Sequence, residues 1–228
     1  MKKVYKTVLF DADNTLLDFD ATERQALRRT MENRGLTFTD DALAAYVRIN
    51  RALWDALHRG EIGQGYLKGE RFRRFGAEVG CDADPLVWDE EYLDFLGDCR
   101  ELLPGALEVL QALKPYCVIG LATNGLQAVQ RKRLRDNPIL PYLDGVFISQ
   151  ELGVGKPNRA YFERVLAALE ADPATTVMVG DDLLSDIQGA AQAGLDSIWY
   201  APKGGQSPLP THQVGRLEEI PALVLGEK

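Results

Sequence analysis

The chain has 228 residues, of which 46% are hydrophobic and 26% charged, and this composition excludes a disordered or collagen-like protein. Its formal net charge of −8 repels nucleic-acid backbones at long range, so we expect no nucleic-acid polymer as a partner. The sequence has no apolar run near the roughly 20 residues of a membrane helix and no signal-peptide pattern, which predicts a protein without membrane contact. Its three cysteines are widely spaced, as expected for reduced thiols in the cytoplasm. No segment marks an interface between subunits, so the oligomeric state stays open.

The chain begins with a predicted strand and continues into a long helical segment. Residues 4–10 are β-prone and mostly apolar, and the run stops abruptly at Asp11, as buried strands do where they meet polar chemistry. Between about residues 21 and 99, β-branched residues are scarce. Helices are predicted near 22–34, 43–57, 66–79 and 88–99. Thr39 or Asp40 is the expected N-cap of the second of these helices.

After residue 104 the sequence alternates between helices and short strands. Helices are predicted near 105–114, after residue 125, near 159–171 and near 184–193, and strands over 117–122, 146–149, 176–179 and 197–200. The segment 203–211 is rich in glycine and proline and is predicted to be a surface loop. Alternation at this spacing favours a parallel sheet with right-handed crossovers.

The pattern predicts an α/β protein with a doubly wound, Rossmann-type parallel sheet and an inserted all-helical domain. Residues 1–17 and 104–228 form the α/β domain, and residues 18–103 form the helical insertion. Because the insertion directly follows the first strand and its turn, we expect it to lie over the carboxyl ends of the strands, where ligands bind in such sheets.

Polar groups that carry chemistry stand at the ends of the predicted strands or just before a helix. They are Asp11, Asp13 and Thr15 after the first strand, Thr123 and Asn124 after the second, Lys156, and Asp181, Asp182 and Asp186 after Gly180. The carboxyl ends of adjacent parallel strands converge, so residues far apart in sequence share one pocket. Any one of these groups is explained by a helix cap or a turn, whereas the combination of acids, hydroxyl and lysine is harder to explain in that way.

The combination is suited to phosphoryl transfer. Three acidic side chains held together repel one another unless a cation lies among them, and hard oxygen ligands select Mg²⁺. A lysine adds positive charge where a phosphate docks. A threonine hydroxyl and free backbone N–H groups hydrogen-bond the phosphoryl oxygens as charge spreads over them.

These motifs carry a resemblance to a known family. The sequence resembles the haloacid dehalogenase superfamily of phosphohydrolases, whose four motifs appear here in the expected order over nearly all of the α/β domain. The insertion is similar to the family's helical cap of the first type. The segments DADNTLLDFDATERQAL and GDDLLSDIQGAAQAG further resemble the pyrimidine 5′-nucleotidase branch, bacterial enzymes that hydrolyse nucleoside monophosphates. Asn14 stands where glycine is more usual, and because asparagine tolerates unusual backbone angles, we expect the turn to survive.

The resemblance implies a reaction in two steps. Asp11 would attack phosphorus and form an aspartyl-phosphate, while Asp13 would protonate the departing oxygen and then activate water. Thr123 would hydrogen-bond the phosphoryl group with help from the backbone of Asn124. Lys156 would offset the negative charge of Asp11 and of the phosphate.

The resemblance also implies a bound Mg²⁺. The ion would be held by Asp11, the backbone carbonyl of Asp13, and Asp181, with Asp186 as a further ligand or an anchor behind the ligands. Asp182 either belongs to this set or faces away and caps the next helix.

Two features of the helical segment are interpreted from their spacing. Asn50 interrupts the apolar stripe of the second helix, and we expect it either to face the cleft and touch substrate or to be a buried amide with satisfied hydrogen bonds. Arg71, Arg73 and Arg74 are expected on a solvated helix face.

The predicted function is a Mg²⁺-dependent phosphomonoesterase that acts on a small metabolite, a nucleoside 5′-monophosphate. A sugar-phosphate or phosphoglycolate phosphatase, or a phosphoglucomutase, of the same superfamily is the nearest alternative. A true dehalogenase attacks carbon and needs neither Asp13 nor the metal cluster. A phosphate-binding or regulatory domain without catalysis is the alternative from another class, although a regulatory phosphoacceptor has a different motif order. Metal-dependent phosphate release separates an enzyme from a binding domain.

Overall fold

The computed structural model describes residues 3–226 and contains two compact units. The first, here called the α/β unit, contains the chain up to Phe19 and again from Arg100 onward. The second, the helical unit, spans Asp20–Cys99. The sequence places these boundaries a few residues away, after residues 17 and 103. Among the described residues, no helix has the length and apolar character that a membrane span requires.

Six parallel strands form the sheet of the α/β unit. They are β1 (Thr7–Phe10), β2 (Val118–Thr123), β3 (Gly145–Ile148), β4 (Thr176–Gly180), β5 (Asp196–Tyr200) and β6 (His212–Val214). Their order across the sheet is β3-β2-β1-β4-β5-β6, and every neighbouring pair is parallel. The strand order reverses between β1 and β4, which is the switch point of a doubly wound sheet. The predicted fold class is confirmed.

The other long elements of the two units are helices. The helical unit is built from α1 (Phe19–Glu32), α2 (Asp40–His58), α3 (Gln64–Val79) and α4 (Pro85–Asp98). The α/β unit adds α5 (Ala106–Leu113), α6 (Gln127–Leu134), α7 (Ser149–Leu152), α8 (Arg159–Ala168), α9 (Gly189–Gln192) and α10 (Ile220–Val224). Shorter turns are 3₁₀ at Leu140–Tyr142, Pro173–Thr175 and Leu217–Glu219, and π-helical at Leu183–Gln188. The Thr39 hydroxyl accepts a hydrogen bond from the backbone N–H of Ala42 at 3.1 Å, so Thr39 is confirmed as the N-cap of α2.

Strand alternation produces two apolar cores in the α/β unit, because successive side chains of a strand point to opposite faces of the sheet. β1 contributes Val8 and Phe10 to the core that includes side chains of α5 and α10. It contributes Leu9 to the other core, which includes side chains of α8. A strand buried on both faces is apolar at almost every position, which is the pattern seen in the sequence before Asp11.

The register of the sheet brings separate loops to one edge. Phe10, the last residue of β1, lies level with Leu121 of β2 and with Val179 of β4. Because the three strands run in the same direction, the segments that follow them leave the sheet side by side. Asp11 and Asp181 therefore start from the same edge, although they are far apart in sequence.

The sequence does not predict the short strand β6. Its three residues, His212 to Val214, pair with Ile198 to Tyr200 of β5. Three residues are too few for a periodic pattern to be detected. They become a strand because the edge of β5 offers unpaired backbone groups that a neighbouring segment can bind.

Aromatic side chains form the core of the helical unit. Tyr46, Phe72, Phe75, Trp88 and Tyr92 come from α2, α3 and α4, and contacting rings have centroids 5.0–6.2 Å apart. At these distances, tilted and edge-to-face ring pairs contribute more stabilising free energy than the burial of their surface area alone would give. These five aromatic residues are therefore structural.

The prediction of a solvated face is wrong for Arg71. Its side chain is buried in the helical unit, and its Nε donates to Asp89 Oδ1 at 2.6 Å. Arg73 and Arg74 are exposed and pair with Glu70. Arg71 and Arg73 are two residues apart on α3, so their side chains point about 200° apart and do not share one face.

Arg71→Met is expected to lower the free energy of unfolding by about 3–5 kcal/mol, because it leaves Asp89 as an uncompensated buried charge. Urea unfolding followed by tryptophan fluorescence measures the change. Arg48→Met is the matched control, since it removes an exposed pair with Glu78 and should cost about 0–1 kcal/mol. Equal losses in the two variants would contradict the assignment of a buried ion pair.

Candidate active site

The turn after β1 keeps two aspartates at the edge of the sheet. The backbone N–H of Asp11 donates to the carbonyl of Val179 on β4 at 2.8 Å, so Asp11 is still anchored to the sheet. Asn14 has a φ of 56°, a left-handed conformation that asparagine tolerates, and its N–H donates to the Leu17 carbonyl at 2.8 Å. The prediction that asparagine supports this turn is confirmed. The turn keeps Asp13 next to the strand end.

Lys156 lies at the centre of the charged groups. It is buried, and its Nζ donates to Asp11 Oδ1 at 2.6 Å, to Asp186 Oδ1 at 2.6 Å and to the Ala122 carbonyl at 2.7 Å. An ammonium group has three N–H donors, so all three are used within the protein. Although burial opposes its charge, the carboxylates of Asp11 and Asp186 raise the pKa of Lys156. Lys156 is therefore a cation that holds Asp11 in place and balances two buried carboxylates.

The side chain of Asn124 positions Lys156. Asn124 Nδ2 donates to the Lys156 carbonyl at 2.7 Å, and Asn124 Oδ1 accepts from the Lys156 N–H at 2.9 Å. A Cβ at Gly155 would stand 2.7 Å from Asn124 Oδ1, so glycine permits this close approach. The amide of Asn124 thus binds backbone, and only its own backbone is left for the predicted contact with phosphate.

Asp11, Asp181 and Asp186 form an acidic cluster at the strand ends. One carboxylate oxygen of each lies within 4.8 Å of those of the other two. Asp186 Oδ2 also accepts from the backbone N–H of Asp182 at 3.2 Å. A Cβ at Gly180 would stand 2.2 Å from Asp186 Oδ2, so only glycine fits there. Three converging carboxylates provide the hard oxygen donors that a small divalent cation requires.

Burial opposes ionisation of the three carboxylates of this cluster. Desolvation raises the pKa of Asp11 well above its usual value, against the opposing effect of Lys156. Burial also raises the pKa of Asp186. Burial and the charges of Asp186 and Asp182 raise the pKa of Asp181 to about 7. A divalent cation would favour the ionised carboxylates, so the electrostatics and the geometry suit the same kind of ligand.

Asp182 caps the turn that follows it. Its Oδ1 accepts from the backbone N–H groups of Leu184 at 2.9 Å and Ser185 at 2.6 Å. Side-chain acceptors of this kind satisfy the first donors of a helical segment. Of the two roles that the sequence leaves open for Asp182, the structure supports the cap.

The hydroxyl of Thr123 has its hydrogen available to donate to a ligand. Thr123 is buried, and its Oγ1 accepts from the N–H of Gly125 at 3.0 Å and from Gln130 Nε2 at 3.0 Å. A hydroxyl has two acceptor lone pairs and one hydrogen. Because both lone pairs are used, Thr123 can bind a further oxygen only as a donor, which suits a phosphoryl oxygen.

Asp13 is bound by two side chains that sequence reasoning missed. Its Oδ2 accepts from Gln130 Nε2 at 2.8 Å, and its Oδ1 pairs with Arg133. Gln130 and Arg133 are three residues apart on α6 and so share one face of the helix. That spacing is a signal that they act together, but no local pattern indicates that this arginine is buried or that its partner lies 120 residues away.

Asn50 lies within the helical unit. Its Nδ2 donates to Glu23 at 2.8 Å, and its Oδ1 accepts from Arg71 at 3.4 Å. Both ends of the buried amide are therefore hydrogen-bonded. The structure favours the satisfied-amide alternative for Asn50 over the contact with substrate.

The α/β unit brings the other predicted site residues to one edge of its sheet. Hydrogen bonds and short oxygen–oxygen distances join one group of these residues, Asp11, Asn124, Lys156, Asp181 and Asp186. Gln130 joins Asp13 to Thr123 in a second group. The arrangement contains a buried carboxylate held by a lysine, two further carboxylates, and a hydroxyl donor.

Comparison with known proteins gives a consistent result. The sequence profile of haloacid dehalogenase-like hydrolases matches residues 5–194. The chain is 34% identical over 224 residues to the pyrimidine 5′-nucleotidase PynA of Streptococcus pneumoniae, covering 95% of this chain and 93% of that protein. It is 33% identical over 221 residues to the pyrimidine 5′-nucleotidase YjjG of Escherichia coli, covering 95% and 96%.

A solved structure is similar over the whole length. The magnesium-bound crystal structure of the HAD-hydrolase YfnB of Bacillus subtilis matches with a TM-score of 0.92 and 34% sequence identity. The match covers 97% of this chain and 99% of that chain.

Proposed function

The chain belongs to the haloacid dehalogenase-like hydrolase family, and we propose that it is a Mg²⁺-dependent phosphomonoesterase acting on nucleoside 5′-monophosphates. One observation carries the proposal. Asp11 is held by Lys156 within 4.8 Å of the carboxylates of Asp181 and Asp186 at the carboxyl ends of the strands. Phosphoryl transfer is catalysed by positioning and by charge, and this cluster supplies both.

The acidic cluster suits Mg²⁺. Asp11, Asp181 and Asp186, with the backbone carbonyl of Asp13, would hold the ion. When bound, it would offset negative charge on the phosphoryl group and on the carboxylates. The similarity to YfnB, whose crystal structure contains magnesium, supports this choice of metal.

Asp11 is the proposed nucleophile. Its carboxylate oxygen attacks phosphorus in line while the bond from phosphorus to the ester oxygen breaks, which gives an aspartyl-phosphate and an alcohol. Lys156 keeps Asp11 in the orientation seen in the structure through the 2.6 Å hydrogen bond. Thr123 donates its hydroxyl hydrogen to a phosphoryl oxygen, and the backbone of Asn124 adds a second contact.

Asp13 is the proposed acid and base. In the first step its carboxyl proton moves to the departing ester oxygen. In the second step a water molecule attacks phosphorus and gives a proton back to Asp13 as the bond from phosphorus to Asp11 breaks. The products are an alcohol and inorganic phosphate, and both aspartates return to their starting forms.

The substrate class is proposed from the relatives. PynA and YjjG, both pyrimidine 5′-nucleotidases, match nearly the whole chain, including the helical unit. A net charge of −8 disfavours nucleic-acid polymers but allows a small phosphorylated metabolite to bind at a local cluster of metal and lysine. We propose a cytoplasmic enzyme of nucleotide metabolism.

A phosphate-release screen tests the proposal. With Mg²⁺, we expect pyrimidine nucleoside 5′-monophosphates to be hydrolysed about tenfold or more faster, by kcat/KM, than sugar phosphates or phosphoglycolate. EDTA should abolish release and excess Mg²⁺ should restore it, because in this proposal the acidic cluster holds the metal ion that the reaction needs.

Two other results would each contradict part of the proposal. A preference for sugar phosphates or phosphoglycolate would overturn the proposed substrate class but not the proposed phosphatase activity. If no ester released phosphate in a metal-dependent way, the phosphatase itself would be overturned in favour of a binding domain.

A further inference from the structure

Gln130 and Arg133 form a buried pair beside Asp13, here called the α6 dyad. Both side chains are fully buried. Gln130 Nε2 donates to Asp13 Oδ2 at 2.8 Å and to Thr123 Oγ1 at 3.0 Å. Arg133 Nη1 donates to Asp13 Oδ1, and to Gln130 Oε1 at 3.3 Å. The dyad therefore binds both oxygens of one carboxylate.

The dyad fixes the plane of the Asp13 carboxylate. An unbound carboxylate rotates over a broad range about its last torsion. Here each oxygen accepts from a different buried side chain, so rotation would break both hydrogen bonds. The Asp13 side chain is 27% exposed although Arg133 is wholly buried, so the oriented carboxylate stays open to a ligand.

Gln130 also sets the separation between Asp13 and Thr123. An amide nitrogen has two hydrogens, and Gln130 gives one to each of these residues. In the proposed function, Thr123 binds the phosphoryl group and Asp13 exchanges a proton with the ester oxygen. Since that oxygen is bonded to the phosphorus, the two side chains must keep a defined separation to act on one substrate.

We propose that Gln130 and Arg133 are positioning residues that hold Asp13 for proton transfer to the leaving oxygen. The inference rests on the proposed function and adds two residues to it. Neither member of the dyad exchanges a proton or bonds to the substrate. The proton moves from Asp13 to the ester oxygen as the bond between phosphorus and that oxygen breaks and phosphorus bonds to Asp11.

Leaving-group dependence tests the proposal. The esters to compare are p-nitrophenyl phosphate, whose leaving oxygen departs readily without a proton, and the best alkyl phosphate substrate, whose leaving oxygen needs one. In Gln130→Leu and Arg133→Met, we expect kcat/KM for the alkyl ester to fall about 100-fold, and at least about tenfold more than for p-nitrophenyl phosphate. Arg133→Lys keeps the charge without the planar fork and should give an intermediate ratio.

Controls separate positioning from general damage to the fold. Arg131→Met changes an exposed arginine of the same helix that pairs with Glu151, and the ratio of the two kcat/KM values should not change. Thermal unfolding shows whether each variant is folded. In an Asp13→Asn background, Gln130→Leu should not alter the ratio further, because a positioning residue acts only through the group it positions.

The outcomes distinguish this inference from the proposed function. An equal loss for both esters in Gln130→Leu and in Arg133→Met, or an undiminished effect in the Asp13→Asn background, would mean that the dyad is merely structural and would overturn the inference alone. If the unmodified protein released phosphate from neither ester, the proposed function would fail, and the inference with it.

Discussion

Asp11→Asn is expected to abolish phosphate release, with kcat reduced on the order of 10⁴-fold or more, because a neutral amide does not attack phosphorus. The two side chains have the same shape, and the amide oxygen can still accept the hydrogen bond from Lys156 Nζ. The change also removes a buried carboxylate whose charge is opposed by desolvation, so we expect the folded state to persist. Steady-state phosphate release and circular dichroism measure the two effects.

Asp182→Asn is the matched control for that variant. It removes the same charge next to the acidic cluster, and asparagine caps a helix about as well as aspartate does. Because Asp182 accepts from Leu184 and Ser185, we expect the turn to stay intact and most of the activity to remain. Substantial turnover by Asp11→Asn, or an equal loss in both variants, would mean that Asp11 is not the nucleophile.

Lys156→Met is expected to reduce kcat by about 10²–10³-fold and to lower the free energy of unfolding by about 3–5 kcal/mol at neutral pH. The lysine is the donor that holds Asp11, and without it Asp11 and Asp186 remain as buried charges with no cation beside them. Phosphate release with Mg²⁺ and urea unfolding without metal measure the two effects.

The loss of stability in Lys156→Met should depend on pH. Burial raises the pKa values of Asp11 and Asp186 in the folded protein and Lys156 opposes this, so removing the lysine raises both pKa values further. The variant therefore loses stability relative to the unmodified protein as the pH rises toward those higher pKa values. The difference in unfolding free energy between Lys156→Met and the unmodified protein should therefore narrow as the pH falls from 7 to 5. Lys114→Met, which removes a partly exposed pair with Asp144, should cost about 0–1 kcal/mol. A pH-independent difference would contradict the electrostatic explanation.

The contacts that position Lys156 cannot be predicted from the sequence. The sequence identifies a lysine before a helix, and the resemblance assigns it to charge balance at Asp11. The structure adds that the three N–H groups of its ammonium are all hydrogen-bonded within the protein. It also shows that the Asn124 amide binds both the backbone N–H and the backbone carbonyl of Lys156. Such contacts join segments 30 or more residues apart, so no local pattern could reveal them.

The sequence alone determined the α/β class, the parallel sheet and the position of the helical insertion. Each depends on local information: apolar runs that stop at Asp11, after Ala122 and at Gly180, and helical spacing between them. The spacing of apolar residues and the choice of turn residues act over a few positions, so both can be read from the sequence. The grouping of the strand-end residues follows from the same facts, because parallel strands of one sheet share a carboxyl edge.

Which charged groups are buried and paired depends on how the helices and strands pack together. Arg71 and Arg133 resemble surface arginines in sequence, yet each is buried against an aspartate from a distant segment, Asp89 and Asp13 respectively. Burying an arginine is unfavourable unless a partner charge is supplied, and that partner exists only after the helices have packed. Local sequence therefore identified the candidate reacting groups, while long-range packing determines what surrounds and orients them.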